Sequence, residues 1–269
     1  MTSQRTTLAR VTYQRLFRRY LRLSGMTGTG LEVAPELKAV YGLDAVVIPP
    51  NRPLRRQDLG NAMHLSAAQK WQAVAAAAAQ QRAAGRAVLV GTRSVAASEA
   101  LAAVLSSAQV EHVVLNARQD GDEAQIVARA GEAGRITIAT NMAGRGTDIA
   151  LSPEVAKHGG LHVILTEFHE SRRIDRQLFG RCARQGDAGS CQAIVCLDDD
   201  LFVRHAGAAT RSLRSHFAAS TLALPGVLAT PLRVLAQRQA EQTNAYIRRL
   251  TLEQDTQLDS ALAFTGKVA

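Results

Sequence analysis

The chain has 269 residues, 46% of them hydrophobic and 20% charged, proportions that exclude a disordered or fibrous protein. Its formal net charge of +9 favours acidic partners, namely nucleic acid, anionic lipid or phosphorylated ligands, without choosing among them. The three cysteines, Cys182, Cys191 and Cys196, have no zinc-binding spacing, so no metal site is expected.

The N-terminal region predicts a basic helix, a strand and a second helix. The first ten residues, MTSQRTTLAR, lead into no apolar core of the kind found in signal peptides, so a cytoplasmic protein is expected. Residues Leu8–Ser24 have the apolar spacing of an amphipathic helix. The β-branched run Ala45–Ile48, followed by two prolines, predicts a short buried strand. The alanine-rich segment Ser66–Ala84 predicts a helix that a glycine ends.

Strands and helices then alternate as far as residue 197. Such alternation predicts βαβ units, hence an α/β fold with a mostly parallel, doubly wound sheet covered on both faces. The predicted strands are Ala87–Val90, Val110–Leu115, Ile136–Ala139, Leu161–Leu165 and Ala193–Leu197, and the predicted helices between them are Ser94–Ser106, Asp122–Ala130 and Ser171–Arg181.

The C-terminal quarter predicts only helices. Residues 201–223 are helical in pattern, and a long helix with one apolar face is predicted over residues 231–262. Two prolines and a glycine interrupt the apolar window 217–236, so a buried hairpin or loop is expected there rather than a membrane span.

A glycine-containing loop follows the strand that ends at Ala139. Residues 138–149 read IATNMAGRGTDI, in which Gly144 and Gly146 flank Arg145 ahead of Asp148. Glycines allow backbone N–H groups to approach a phosphate closely, and an acidic residue beside them could hold a ribose hydroxyl or a metal-bound water. The alternative is a tight left-handed turn that binds nothing.

A second motif, QLFGRCARQGDAG, occupies residues 177–189. Arg181 and Arg184 are three residues apart, so on a helix or its frayed end they would share a face. Two guanidinium groups offer bidentate donors to a phosphate, and an arginine that reaches a γ-phosphate stabilises the charge of the transition state. The alternative is a solvated basic helix end.

Together these two motifs, in this order, resemble the SecA family of bacterial preprotein translocase motors. The resemblance covers nearly the whole chain. Its longest stretch is His158–Arg184, and the others are Tyr13–Thr29 (end of the first motor lobe), Tyr41–Asp58 (crossing to the second lobe), Val88–Ser94, Val113–Arg118 and Ala236–Asp255 (start of the scaffold helix).

The resemblance implies a RecA-like second nucleotide-binding lobe of the superfamily-2 helicase type over residues 31–205. Residues 1–30 would be the end of the first lobe, and residues 206–269 a helical tail with a long C-terminal helix. The implied ligand is ATP, with Mg²⁺ held mainly by the first lobe.

The resemblance also implies roles for individual residues. Arg184 would be the arginine finger and Arg181 its partner at the γ-phosphate. Gln177 and Gln185 would orient these arginines. The residues that would bind the nucleotide and relay its state are Gly144, Arg145, Gly146, Thr147 and Asp148.

Several residues depart from the family pattern. Cys182 and Ala183 stand where the family motif GRSGRQGDPG has serine and glycine. Phe168 stands where a basic residue is common, so one hydrogen-bond donor near the lobe interface is expected to be lost.

The sequence contains no G-x-x-x-x-G-K-[ST] string, so the chain is expected to be inactive alone and to need a separately encoded first lobe. A Sec channel, a preprotein and an anionic membrane surface, at the inner face of the plasma membrane, are further expected partners. The alternatives are a non-catalytic module of a Sec-type translocase and the C-terminal lobe of a nucleic-acid helicase. Aromatic residues amount to only 4%, which disfavours nucleic acid.

Overall fold

A computed structural model describes residues 12–115, 123–140 and 148–265 of the chain. They fall into two compact units: the larger is Pro50–Ala240, and the smaller combines the residues up to Pro49 with those from Glu241 onward.

The described part of the larger unit contains a six-stranded sheet in the order β1-β6-β5-β2-β4-β3. Every neighbouring pair of strands is parallel. This confirms the predicted α/β fold with a parallel sheet. The strands are β1 (Arg55–His64), β2 (Val88–Thr92), β3 (Val113–Leu115), β4 (Ile136–Thr140), β5 (Leu161–Leu165) and β6 (Ala188–Cys196).

Helices cover both faces of this sheet, and serine side chains begin several of them. Ser66, Ser94 and Ser152 each accept a hydrogen bond from the backbone three residues on, which satisfies one of the free amide groups of a helix start. The helices are α3 (Ala67–Ala83), α4 (Val95–Ser107), α5 (Glu123–Arg129), α6 (Pro153–Lys157), α7 (Arg172–Phe179), α8 (Asp200–His205), α9 (Gly207–His216) and the part of α10 (Gly226–Thr265) up to Ala240.

Alternate residues of the central strand β2 enter separate cores. Val88 and Val90 pack among residues of α3 and α4, such as Leu101. Leu89 faces the opposite side and packs with residues such as Val155 of α6. This alternation is what a strand buried on both faces requires.

The predicted strand at Ala45–Ile48 is wrong. These residues form neither helix nor strand, and the side chain of Ile48 is 83% exposed. The first strand is β1, Arg55–His64, whose polar sequence RRQDLGNAMH gave no strand signal. Because β1 lies at the edge of the sheet and half of its residues are exposed, it needs little apolar content.

The smaller unit contains three helical segments and a single 3-10 turn among its described residues. They are α1 (Tyr13–Phe17), the turn Leu31–Val33, α2 (Ala34–Tyr41) and the remainder of α10. The predicted helix over Leu8–Ser24 is much shorter where it is described. None of the residues of α1 is buried, so no packing supports a longer helix.

An ion pair joins α2 to α10 within this unit. Arg248 donates from Nε and Nη2 to the two carboxylate oxygens of Glu36, at 2.8 and 2.9 Å.

A helix that crosses a membrane needs a certain length and apolar content. Among the described residues, no helix has that length and apolar content.

Candidate functional site

The loop between α7 and β6 carries the arginine motif. Helix α7 ends at Phe179, and Gly180 is its C-terminal cap. Within the loop, Ala183 and Gln185 have positive φ angles of 56° and 53°. Arg181 and Arg184 therefore both follow the last residue of the helix, so they do not lie on a regular helical face.

Arg184 forms an ion pair with Asp148. Its Nη1 lies 2.7 Å from Oδ1 of the Asp148 carboxylate, and its Nε donates to the carbonyl of Gly180 at 2.9 Å. The two side chains are 36% and 50% exposed, so solvent reaches the pair. The guanidinium is thus fixed at one nitrogen by its own loop and at another by a carboxylate.

Asp148 receives two further hydrogen bonds. The side-chain amide of Gln185 donates to Oδ2 at 3.2 Å, and the backbone N–H of Ile149 donates to Oδ1 at 3.1 Å. The hydrogen bond from Arg184 is the main reason why the pKa of Asp148 lies below its usual value. The carboxylate is therefore charged at neutral pH.

The other predicted site residues have mixed outcomes. Gly144, Arg145, Gly146 and Thr147 lie outside the described residues. Arg181 lies in the turn after α7, where its backbone N–H donates to the carbonyl of Leu178 at 2.9 Å, and Gln177 lies within α7. Gln185 contacts the partner of Arg184, since its amide binds Asp148.

The pair does not lie where the usual rule for open parallel sheets would place a ligand. That rule favours the carboxyl ends of the strands. Asp148 does follow the carboxyl end of β4, but Arg184 comes just before the first residue of β6, Ala188. The contact therefore joins the segment after one strand to the amino end of another.

Sequence reasoning missed the arginines that bind the backbone of this loop; Arg52 and Arg56 form the shorter hydrogen bonds, and Arg55 reaches the carbonyl of Gly186 at 3.5 Å. Arg52 donates from Nη1 to the carbonyl of Gln185 at 3.0 Å, and Arg56 donates from Nη1 to the carbonyl of Phe179 at 3.1 Å. Both contacts depend on β1 lying beside β6, which no local sequence signal revealed.

Cys182 anchors the middle of the loop. It is buried, and its thiol donates to the carbonyl of Phe179 at 3.2 Å. A hydrogen bond with the thiol of Cys191 on β6, together with burial, raises the pKa of Cys182. The same hydrogen bond lowers the pKa of Cys191. All three cysteines are free and buried.

Phe168 lies in the core of the larger unit. It is 1% exposed, and its ring meets that of Phe202 edge-on with centroids 6.5 Å apart. The guanidinium of Arg233 lies 5.1 Å from the Phe168 ring centroid. The expectation that Phe168 replaces a donor at an interface is therefore wrong, because the side chain is an apolar core residue.

A buried polar cluster connects α7 with α10. The carboxylate of Asp175 lies 2.6 Å from Nδ1 of His169 and accepts a hydrogen bond from the amide of Gln237 at 2.8 Å. The same amide donates to the backbone carbonyl of His169 at 3.1 Å. Helix α10 is thereby fixed to the helix that leads into the arginine loop.

The chemistry of the site suits an anion. A partly exposed guanidinium paired with a carboxylate can exchange that carboxylate for a phosphate oxygen. In the described ranges, no group of three or more histidine, cysteine, aspartate or glutamate residues is arranged to hold a metal ion.

Two family models match the chain. The one described as the SecA P-loop domain matches residues 53–158 and 151–219, and the one described as the SecA DEAD-like domain matches residues 1–38. Together they cover most of the larger unit, and of the smaller unit only the part up to residue 38.

Curated relatives match along almost the entire chain. The chain is 53% identical to "Protein translocase subunit SecA 2" of Nitrosospira multiformis, over 99% of this chain and 40% of that protein. It is 49% identical to "Protein translocase subunit SecA 3" of Magnetococcus marinus, over 100% of this chain and 41% of that protein. The chain thus spans about 40% of the length of these relatives.

Solved structures show more distant likenesses. The yeast DEAD-box splicing factor Prp28 is 18% identical, with a TM-score of 0.47 over 78% of this chain and 44% of that chain. The E. coli DEAD-box protein SrmB is 22% identical, with a TM-score of 0.44 over 56% of this chain and 84% of that chain. Neither likeness bears on function.

Proposed function

The chain belongs to the SecA family, and from this premise we propose that it forms the arginine-bearing half of a nucleotide site in a protein-translocation motor. Arg184 is the arginine finger of this proposal, and Asp148 is its partner before nucleotide arrives. ATP is the proposed ligand. The observation that carries the proposal is the Asp148–Arg184 ion pair, because it joins the two motifs in one contact.

Arg184 is built to exchange partners. Its Nε remains bound to the Gly180 carbonyl, while Nη1 points to a carboxylate that is half exposed. A γ-phosphate presented from a second lobe could take the place of Asp148 at Nη1 without releasing the loop. A guanidinium held in this way stabilises the negative charge that spreads over the phosphoryl oxygens in the transition state.

The proposed motor also needs components that this chain does not contain. The family-model match supports nucleotide binding by this domain, whereas the sequence contains no G-x-x-x-x-G-K-[ST] string. A first motor lobe, with Mg²⁺, therefore completes the site in this proposal. A Sec channel and a preprotein are the proposed partners, at the cytoplasmic face of the membrane, because the relatives are named as protein translocase subunits.

A chimera tests the proposal in a complete motor. This chain would replace the matching 267-residue segment of the Nitrosospira multiformis subunit, and ATP hydrolysis would be measured. We expect Arg184→Lys to reduce kcat by roughly 100-fold or more, since a lysine cannot reproduce the fork of the guanidinium. The matched control is Arg204→Gln, which removes an exposed arginine paired with Asp200.

Two outcomes would contradict the proposal. One is a folded chimera whose rate of ATP hydrolysis is unchanged by Arg184→Lys. The other is steady ATP hydrolysis by the 269-residue chain alone at the rate of the chimera. Mixing the chain with the unmatched part of the relative, as two polypeptides, then shows whether the site can assemble from separate chains.

A further inference from the structure

The backbone of the arginine loop is held from outside by side chains of β1 and of the segment just before it. We propose that Arg52 and Arg56 are positioning residues that set the place of Arg184, an inference that rests on the proposed finger role. Neither residue is assigned any part in nucleotide binding, and neither touches Arg184 through its own side chain in the contacts described above. Each acts on a carbonyl of the loop.

Arg52 acts directly beside the finger. Its Nη1 donates to the carbonyl of Gln185, the residue that follows Arg184, at 3.0 Å. Its aliphatic stem packs on Gly186, where an added Cβ would lie 2.8 Å from Cδ of Arg52. Gly186 also has a φ of +87°, so a glycine serves both the turn and the close approach of this arginine.

Arg56 holds the beginning of the loop. Its Nη1 donates to the carbonyl of Phe179, which also accepts hydrogen bonds from the thiol and the backbone N–H of Cys182. Arg56 lies opposite Gly189 in the β1–β6 pairing, so it reaches the loop from the strand next to β6. The half-buried position of Arg56 shields this hydrogen bond from competition by water.

The loop conformation needs such support. Ala183 and Gln185 lie on either side of Arg184, and both have a left-handed backbone that non-glycine residues disfavour. The loop also packs closely against Gly189 of β6, since an added Cβ there would be 2.7 Å from the backbone nitrogen of Ala183. A loop folded this tightly, with unfavourable backbone angles, persists only if its surroundings hold it.

Arginine is suited to this task for a geometric reason. A planar guanidinium donates to a carbonyl in a fixed direction, whereas a lysine ammonium is a flexible point charge. A glutamine at either position retains donors but is too short for the same reach. Lysine and glutamine variants therefore separate the loss of direction from the loss of charge.

The first test measures hydrogen exchange in the loop and does not depend on ATP hydrolysis. The backbone N–H of Asp187 donates to the carbonyl of Arg184 at 2.9 Å, so its hydrogen exchange reports the closed loop. In the full chain, we expect Arg52→Gln and Arg56→Gln to accelerate exchange in residues 180–187 by at least about fivefold. The matched control, Arg82→Gln, removes a partly exposed arginine paired with Glu111 and should leave that exchange unchanged.

The second test uses the chimera described above. We expect Arg52→Gln and Arg56→Gln to lower kcat for ATP by about tenfold while KM stays within about twofold, because a displaced finger fails in the transition state. Arg52→Lys and Arg56→Lys should recover part of the loss. A variant that had merely unfolded would lose its cooperative thermal transition as well.

The outcomes separate the two proposals. If Arg184→Lys leaves the kcat of the chimera unchanged, the proposed finger role is wrong. The hydrogen-exchange measurement then still decides whether Arg52 and Arg56 hold the loop. If exchange in residues 180–187 and kcat are both unchanged by the glutamine variants, the positioning role is overturned. If exchange accelerates but kcat does not change, the arginines hold the loop without positioning the finger, and the proposal is also overturned.

Discussion

Asp148 and Arg184 are 36 residues apart in the chain, and the carboxylate of one lies 2.7 Å from a guanidinium nitrogen of the other. The two sequence motifs singled out from the chain therefore meet in space at Asp148, which both Arg184 and Gln185 contact. The contact also defines a resting partner for the arginine. A loop whose arginine is already paired with a carboxylate can remain ordered without a further ligand.

Removing this ion pair should have little effect on stability. Both side chains are at least one third exposed, and pairs of that kind contribute no more than about 1 kcal/mol to the free energy of unfolding. We expect Asp148→Asn and Arg184→Gln each to lower the free energy of unfolding by less than about 1 kcal/mol in urea denaturation. The interaction energy from the double-mutant cycle should be small as well. A coupling above roughly 2 kcal/mol would mean that the pair is a structural bond rather than an exchangeable one.

The turn after α4 offers a stabilising substitution. Gln109 follows the C-terminal cap of that helix, has a φ of 56°, and is exposed. Glycine adopts this left-handed conformation without a steric penalty, which is why it is preferred at the position. We expect Gln109→Gly to raise the free energy of unfolding by about 0.5–1 kcal/mol, measured in urea. Gln109→Ala, which retains the Cβ, is the control and should not stabilise the chain.

Stability should fall in mild acid because of His162. Its Nδ1 lies 2.7 Å from the hydroxyl of Ser190, the residue is fully buried, and burial lowers its pKa to about 4. The ordinary value is 6.5, so between these two values the unfolded chain binds a proton that the folded chain excludes. Stability therefore rises with pH in this window and is lost as the pH falls from 6.5 towards 4. The loss from this group should approach about 3 kcal/mol.

The measurement is urea denaturation at several pH values between about 4 and 7. His162→Asn removes the titrating group, and we expect its stability to change less over this range than that of the unsubstituted chain. His216→Asn, at an exposed position, is the control and should follow the unsubstituted profile. Parallel profiles for all three proteins would show that His162 is not the source of acid sensitivity.

The ion pair between Lys70 and Asp199 should contribute far more to stability than the exposed pair between Asp148 and Arg184. Its N–O distance is 2.6 Å, and the two side chains are 5% and 3% exposed. Replacing one member leaves a buried charge without its partner, at a cost of about 3–5 kcal/mol. We expect Lys70→Met to lower the free energy of unfolding by that amount. Adding Asp199→Asn should recover part of it, and a double variant no more stable than Lys70→Met would contradict this interpretation.

The fold could be predicted where burial leaves a pattern in the sequence. Strands β2, β4 and β5 are buried and rich in β-branched residues, and β5 was predicted with its observed bounds, Leu161–Leu165. Strand β1 was missed because an edge strand is stabilised by hydrogen bonds to one neighbour and does not need apolar residues. Helix α2 was missed as well, and it buries none of its residues.

The residues of the site could be predicted from the sequence, but their contacts in space could not. Arg184 and Asp148 are identifiable because they belong to the two motifs, Q-x-x-G-R-x-x-R and G-R-G-T-D, on which the resemblance to the SecA family rests. Their contact, and the positions of Arg52 and Arg56, depend on which strands are neighbours. Strand order is a property of the whole chain, so no local window of sequence contains it.

Helix α10 also determines where this protein can be divided. Leu232, Ala236 and Ala240 of that helix are buried in the same core as the sheet residues Met63 and Val195. A shortened polypeptide that stopped soon after the last strand would expose that core to water and lose the hydrogen bonds of Gln237. The smallest independently stable piece should therefore extend past Ala240, even though both sequence motifs are complete more than fifty residues earlier.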